Sequence, residues 1–483
     1  DAILDIPVFA FEQMTDGYRP VSRTIFSDPS YDFNDDRIVV AGLGVFLPGA
    51  KNSEEFWEKL KSGEKQLSAV PSDTFDNDAY TDMGKDSFYY LPKVKAGVVK
   101  DYKFNNLKYR MPPKMVKSIE RGQIFGLEAA SEALETSGLL EQLGNGSNRV
   151  GVILGTIAGE RQSKNIIRTR KEVIGNALAA CEGMDSEKAG QVGAQLVDLI
   201  RETIPENNED TTPGLLSNII SGRIANYFGL NGANYVIDAS CASAFIAMRN
   251  AARNLKQKEM DFVLAGGVDT NLYPAVLMAF KRLGLLSDTE CNFFDSRANG
   301  YVMGEGAAIH VMTTYKKAKE YNMEILGEIN ECAVRSSVPD HLLAPSEQAF
   351  VSTINEAYRK SGIRKKDIQH LDLFAFSNIF GDIIEKQVVE NCFDHEMHCG
   401  NVKSQFGYFK AANPAVAMAK MMLMNKKGRI LPDFNYDPEF SVLNECRILK
   451  PARQMVVRPN GQPGRFASNV NGIGGNHCHM IMG

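Results

Sequence analysis

The sequence predicts an α/β protein. Strand and helix signals alternate densely from residue 214 onward, and the strand runs are apolar in the manner of buried central strands. The composition, 44% hydrophobic and 23% charged over 483 residues, is that of an ordinary globular chain. That length permits roughly two to four compact units. The formal net charge is −5, and no Lys/Arg stripe alternating with aromatics is read, so a nucleic-acid binder is not expected. No apolar run approaches the roughly 20 residues of a membrane span.

The elements follow in order. Residues 1–36 carry Pro7, Pro20, Pro29 and the polar run Asp32 to Asp36, and read as an extension or linker. The chain opens on Asp1 without a signal-peptide pattern, and both ends read as cut, as in a domain of a larger protein. A strand starts at Arg37-Ile-Val-Val-Ala-Gly. The helix after Gly49 has Asn52 as N-cap, Glu55 at capping-box spacing, Phe56 and Leu60 on one face and Gly63 as its stop. Ile124, Leu127, Ala130 and Leu134 place a second helix over 119–137, ended by Gly138. A strand covers Val150 to Leu154. The polar stretch 160–205 reads as a helical elaboration with a solvated charged face. Further strands are expected at Tyr235–Ala239, Phe262–Ala265, Ala307–Met312, Leu371–Phe374 and Cys478–Met482. The eight cysteines lie in mostly apolar surroundings, which favours small core residues in a reducing, cytoplasmic compartment.

The chemistry concentrates in Tyr235-Val-Ile-Asp-Ala-Ser-Cys-Ala-Ser-Ala-Phe-Ile-Ala-Met248. An apolar strand runs through a turn of small residues into an amphipathic helix, with Cys241 in the turn. Free backbone N–H groups and the helix dipole at such a position favour a thiolate. Ala239, Ser240, Ala242 and Ser243 leave room for a substrate. A buried core cysteine beside a tight turn is the alternative on this segment alone.

Four more segments bear on that choice. Arg37-Ile-Val-Val-Ala-Gly leads through Phe46-Leu-Pro-Gly-Ala to Glu55-Phe-Trp. Leu283-Gly-Leu-Leu-Ser leads to Phe294-Asp-Ser-Arg-Ala-Asn-Gly-Tyr-Val-Met-Gly-Glu-Gly306. Asn401-Val-Lys-Ser-Gln-Phe-Gly407 and Gly472-Ile-Gly-Gly-Asn-His-Cys-His479 follow. In order and spacing, residues 37–483 resemble the β-ketoacyl synthases, the ketosynthase domains of fatty acid and polyketide synthases. The resemblance implies a thiolase-like fold of two related halves in five αβαβα layers. The halves are expected at 37–290, carrying Cys241, and at 291–483. A homodimer, or a heterodimer with another ketosynthase, is implied. Cys241 would take an acyl group from the phosphopantetheine arm of an acyl carrier protein, with no bound cofactor and no metal. Backbone N–H groups of Cys241 and Ile473 would form an oxyanion hole.

The sequence departs from the family at both of its active-site histidines. The segment matching EAHGTGTPLGD is Asp372-Leu-Phe-Ala-Phe-Ser-Asn-Ile-Phe-Gly-Asp382, with Gly381, Asp382 and Glu385 fixing the register, so the first histidine position is Phe374. The second, after xVKSxxG, is Tyr408. Phe374 cannot hydrogen-bond through its side chain, and a phenol with a pKa of about 10 is a poor proton acceptor at neutral pH. Lys403 and Glu305 stand at the family's active-site Lys and Glu; they either organise the pocket floor or form an ion pair kept for architecture. The gating aromatics correspond to Asn471 and Ile473. Asp340 and His341 could form a base–orienter pair in a loop, although a surface loop histidine is the better explanation. His479 matches a structural histidine of the family, with His477 beside it in the same turn. His395, His398 and Cys399 match no strong metal spacing. Three functions stay open: acyl handling on Cys241 without elongation, a non-catalytic partner resembling a chain-length factor, and condensation with substitute residues.

Overall fold

Eleven strands form one hydrogen-bonded array: β1 (Ile38–Phe46), β2 (Val150–Gly155), β3 (Asn234–Ile237), β4 (Phe262–Asp269), β5 (Gly306–Thr314), β6 (Gly327–Ser336), β7 (His370–Asp372), β8 (Met397–Gly400), β9 (Leu449–Pro451), β10 (Phe466–Gly472) and β11 (Asn476–Met482). Their spatial order is β9-β8-β7-β10-β11-β6-β1-β5-β4-β2-β3. The computed structural model describes residues 36–483 except 73, 88, 146–147, 158–166, 168–169, 178–184, 205–206, 288, 337–343, 434 and 459–463. The expected extension therefore lies outside the described residues, apart from Asp36.

The strand order contains an internal repeat. The first five strands run in space as third, second, fourth, fifth, first. The strands β6, β7, β8, β10 and β11 repeat that order, with β9 added at the edge. In both sets the fifth strand is antiparallel to its two neighbours, while the second, third and fourth are mutually parallel. Among the described residues, the two sheets are joined in one ladder by the short antiparallel pairing of Ile38–Val40 with Gly327–Ile329. These are the two related halves the sequence predicts. The division drawn at 290/291 is corrected in one respect: β5 pairs with β1 and β4, so the first sheet ends after Thr314.

Helices complete the layers: α1 (Ser53–Ser62), α2 (Arg121–Thr136), α3 (Ser186–Thr203), α4 (Ile219–Phe228), α5 (Ser243–Lys256), α6 (Glu347–Ser361), α7 (Ile379–Cys392) and α8 (Asn413–Lys427). α5 and α8 pack between the sheets, α2 and α4 cover the first sheet, and α6 with α7 flanks the second. From Asn413 to Met424 every residue of α8 is buried, and all but Asn413 and Lys420 are apolar. No described helix is long and apolar enough to cross a membrane.

Local signals act as read. The Asn52 side chain accepts from Glu55 N at 2.8 Å, while Glu55 reaches back to Lys51 N at 2.7 Å. Gly63 and Gly138 stop their helices at φ 71° and 69°. The charges of α3 face solvent, with Arg201 near Asp198 and Glu172. The expected strand Leu371–Phe374 stops short: Leu373 N still donates to Gly400 O at 3.0 Å, but the Glu385 carboxylate takes the N–H groups of Phe374 and Ala375.

Gly155 ends β2 against the first turn of α5, where a Cβ would overlap the backbone of Ser243 and Ala244. Gly155→Ala should lower stability by about 1–3 kcal/mol, the range for forced overpacking. A denaturant midpoint unchanged from wild type would contradict this.

Candidate active site

Cys241 lies one residue ahead of the cap of α5, in a turn braced by its serines. Ala239 N donates to Ser243 Oγ at 2.9 Å, and that hydroxyl donates to Ser240 O at 2.5 Å. Ser240 holds φ 54°, and its N–H is taken by Asp238 Oδ1 at 3.0 Å. Cys241 is 5% exposed. The turn joining β10 and β11 comes down on this elbow: a Cβ on Gly472 would lie 2.9 Å from Ala239 O and 3.4 Å from Ala242 N. Ile473 follows, exposed, and Asn471 precedes it, buried with its Oδ1 unbonded.

The parallel strands β7, β8 and β10 end on the same side of the second sheet, where open α/β sheets place functional groups. After β7, Glu385 of α7 accepts from Phe374 N at 2.9 Å and Ala375 N at 2.8 Å. Asp382 accepts from Phe376 N at 2.7 Å and Phe294 N at 2.8 Å. Ser377 Oγ donates to Asn292 O at 3.1 Å and Gly300 O at 2.5 Å. Ala375 and Ser377 both sit at φ 53°, left-handed conformations that non-glycine residues hold only when surroundings impose them. Burial, with Glu385 adding to it, pushes Asp382 up to about 7.

After β8, Lys403 is wholly buried. Its Nζ donates to Phe374 O and, at 3.0 Å, to Ala375 O. Four rings surround it, with centroids at 4.1 Å (Phe374), 4.8 Å (Tyr408), 5.2 Å (Tyr301) and 5.7 Å (Phe293). Such rings attract a cation in a dry site. Burial brings Lys403 down to about 8, opposed by Glu385, Asp372 and the charge of Cys241. Tyr408 stacks on Tyr301 at 4.3 Å and meets Phe374 edge-on at 6.3 Å. Burial, followed by Cys241, holds both phenols well above their usual range.

The structure thus brings Cys241, Phe374, Lys403 and Tyr408 together and sets Glu305 apart. Glu305 pairs with Arg121, at 2.8 Å to Nε and 2.6 Å to Nη2, and accepts from Val99 N. No Glu305–Lys403 ion pair forms among the described residues. The neighbours of Lys403 are instead Glu385 and the Phe374–Ala375 carbonyls, and Gly381, Asp382 and Glu385, read only as register markers, are the groups that signalled it. Asp340 and His341 lie outside the described residues. His479 bridges Asn469 Oδ1 at 2.7 Å and Tyr358 Oη at 3.3 Å, and Asn469 Nδ2 donates to Glu385 at 3.0 Å. His477 is buried on the Phe350 ring. His395 contacts Ile368 O at 3.0 Å, and no group of three metal-ligating side chains with His398 and Cys399 forms among the described residues.

One surface feature escapes the overall charge. Residues 93–121 hold nine basic and two acidic residues, and all nine basic residues are exposed. Aromatics do interleave there, which corrects the reading of the sequence, but Tyr102 and Tyr109 turn their hydroxyls inward to Glu128. Leu107, 83% exposed, lies in the same stretch. A cleft of about 670 Å³ lined by Lys100, Tyr102, Val116, Ile119, Arg121 and Ile124 opens beside it.

Residues 35–318 match the pattern of the beta-ketoacyl synthase N-terminal domain and residues 326–437 that of the C-terminal domain. The chain is 26% identical over 464 residues to a polyunsaturated fatty acid synthase polypeptide of Thraustochytrium sp., covering 93% of this chain and 16% of that protein. It is 26% identical over 478 residues to a phenolphthiocerol/phthiocerol polyketide synthase polypeptide of Mycobacterium tuberculosis, covering 97% and 28%. The chain thus spans less than a third of the length of either relative. The oxazolomycin ketosynthase domain of Streptomyces albus superposes with a TM-score of 0.77 at 20% identity, covering 92% of this chain and 74% of that one. The ketosynthase from module 6 of the bacillaene synthase of Bacillus subtilis gives 0.75 at 22%, covering 92% and 72%. These structural likenesses establish the thiolase-like fold.

Asp382 generates a pH prediction. Its folded pKa, about 7, is above its ordinary 3.8, so its contribution to stability is fully present below the lower value and lost as pH rises through the higher. Asp382→Asn lacks that dependence. Between about pH 5 and about pH 8 the urea midpoint of wild type should fall relative to that of the variant. A pH-independent difference would count against the assignment.

Proposed function

We propose that this chain, which belongs to the β-ketoacyl synthase family, carries an acyl group as a thioester on Cys241 and passes it on without elongating it. In loading, the Cys241 sulfur attacks the carbonyl carbon of an acyl thioester on a carrier protein's phosphopantetheine arm. The new S–C bond forms, the pantetheine S–C bond breaks, and the released carrier thiol takes up the proton that Cys241 gives up. Backbone N–H groups of Cys241 and Ile473 stabilise the oxyanion of that step. No cofactor is needed.

The observation that carries this reading is the pair of rings, Phe374 and Tyr408, packed around Lys403 beside Cys241. Decarboxylating a malonyl unit and holding its enolate call for hydrogen-bonding groups at those two positions. General acid–base help contributes roughly 10²–10⁴-fold, and one oxyanion donor roughly 10²–10³-fold. Phe374 offers neither, and Tyr408 offers one donor. Transthioesterification uses the nucleophile and the backbone donors alone.

The partner is an acyl carrier protein with an acidic face. The exposed basic stretch 93–121, in a chain of net charge −5, supplies the complementary charge. A second copy, or a second ketosynthase, covers the edge of β3, whose backbone among the described residues is paired only with β2 and which leads directly into the elbow.

Intact-mass measurement tests the reaction. Acyl-carrier protein or acyl-N-acetylcysteamine should add one acyl mass to wild type and none to Cys241→Ala, and malonyl-carrier protein should release CO₂ at background rate. No adduct, or CO₂ release keeping pace with loading, would overturn the proposal. The docking face has its own test. Lys100→Glu with Lys103→Glu should slow loading from the carrier protein about tenfold and leave loading from N-acetylcysteamine thioester unchanged. Equal slowing with both donors would exclude this face as the docking site.

A further inference from the structure

Tyr408 presents a buried hydroxyl whose one hydrogen-bonding neighbour among the described residues is the thiol of Cys241. The side chain is 1% exposed, and its hydroxyl closes no hydrogen bond of good geometry among the described residues. Buried hydroxyls are ordinarily bonded, so an exception at a site calls for an explanation. The ring cannot swing away to find a partner. Tyr408 N donates to Val302 O at 2.8 Å, Gly304 N donates to Tyr408 O at 2.9 Å, and the ring is stacked on Tyr301. Phe374 and Lys403 offer it a ring and an ammonium donor, and it forms no hydrogen bond to the Tyr301 hydroxyl among the described residues. The group it faces is the thiol of Cys241, which acts on it both by charge and as a hydrogen-bonding neighbour.

Sulfur is a weak acceptor, and a thioester sulfur is weaker than a thiolate. Acylation of Cys241 therefore leaves the phenol facing the first atoms of the acyl chain with no protein acceptor of its own. The thioester carbonyl oxygen belongs to the backbone donors of the elbow and of Ile473. We propose that Tyr408 is a specificity-determining residue, whose hydroxyl reserves a hydrogen bond for an oxygen on the second or third carbon of the acyl group carried by Cys241. The substrate class is then a hydroxyacyl or oxoacyl thioester oxygenated next to the carbonyl, rather than a saturated chain. This inference rests on the acyl-carrying reading of Cys241. A site built around a buried donor rejects analogues that leave the donor unpaired more strongly than an apolar pocket rejects a change of size.

The test compares loading of Cys241 by the N-acetylcysteamine thioesters of butanoate, 2-hydroxybutanoate and 3-hydroxybutanoate, read by intact mass in wild type and Tyr408→Phe. One of the hydroxyacyl donors should load wild type about tenfold faster than butanoyl. In Tyr408→Phe the ratio should fall to about one, with butanoyl loading retained, which also shows that the variant is folded. Equal rates in wild type overturn the proposal. So does a preference that survives in Tyr408→Phe, or a variant that loses butanoyl loading as well, since the residue then acts on loading in general. Failure of wild type to load from any donor would instead remove the acyl-carrying reading itself.

Discussion

The site depends on how one peptide segment is gripped from both sides. The N–H groups of Phe374 and Ala375 point to the Glu385 carboxylate, and their carbonyls accept from the Lys403 ammonium. Each ion satisfies two backbone groups that have left the β7 ladder, and each attracts the other across the peptide. Neither would be tolerable alone in this depth of burial, because an unpaired buried charge is destabilising by several kcal/mol, ~3–5 for a broken pair. Together they hold Ala375 in its left-handed conformation without glycine, while Asn292 and Gly300 hold Ser377 in the same region. The hydrogen bonds of the grip use only main-chain atoms of residue 374, so they form whether an imidazole or a phenyl ring is carried. A side chain can therefore change at this position without disturbing the turn that presents it.

The repeated strand order explains why the parts converge. The elbow of Cys241 follows the third strand of the first half, and Lys403 follows the third strand of the second. The turn of Phe374 follows the second strand of that half, and the Gly472 turn follows its fourth. Two halves packed across α5 and α8 bring these strand ends to one place. Glycine at 155 and 472 then lets strand and turn approach the elbow closer than any side chain would allow. The central helices bear the apolar burial, and the chemistry occupies the rim where strands stop.

Much of this was legible in the sequence for identifiable reasons. Strand to small-residue turn to amphipathic helix is a local pattern, and it locates Cys241 without help from tertiary structure. Caps at Asn52 and stops at Gly63 and Gly138 are equally local. The partner of Glu305 was not legible, because Arg121 lies 184 positions away and nothing in either neighbourhood marks the pairing. The strand after residue 369 was read too long, since Leu373 and Phe374 are apolar and the carboxylates that end the ladder come from α7. The direction of Tyr102 and Tyr109 was hidden too: aromatics among lysines look the same in sequence whether they face solvent or Glu128. The membership of β5 in the first sheet is decided by pairing, which a linear reading does not contain.

Replacing two imidazoles by a phenyl and a phenol, as proposed, alters the electrostatics of the site as well as its proton transfers. An imidazole can accept, donate or carry charge, so it can follow a substrate through a change of charge state. Phe374 and Tyr408 cannot follow such a change. The Lys403 charge is already engaged by two carbonyls, Glu385 and four rings, and Lys410 is held by Asp269 at 3.0 Å. A malonyl carboxylate entering here would meet rings and committed cations, and its desolvation would go uncompensated. A neutral acyl thioester meets no such penalty, and it still finds the backbone donors of the elbow and the closing turn. On the proposed reading, the aromatic lining that takes the place of the decarboxylation partners also favours a neutral acyl group over a malonyl carboxylate. Under the proposed function, Cys241 takes up such a neutral acyl group and passes it on without a condensation step.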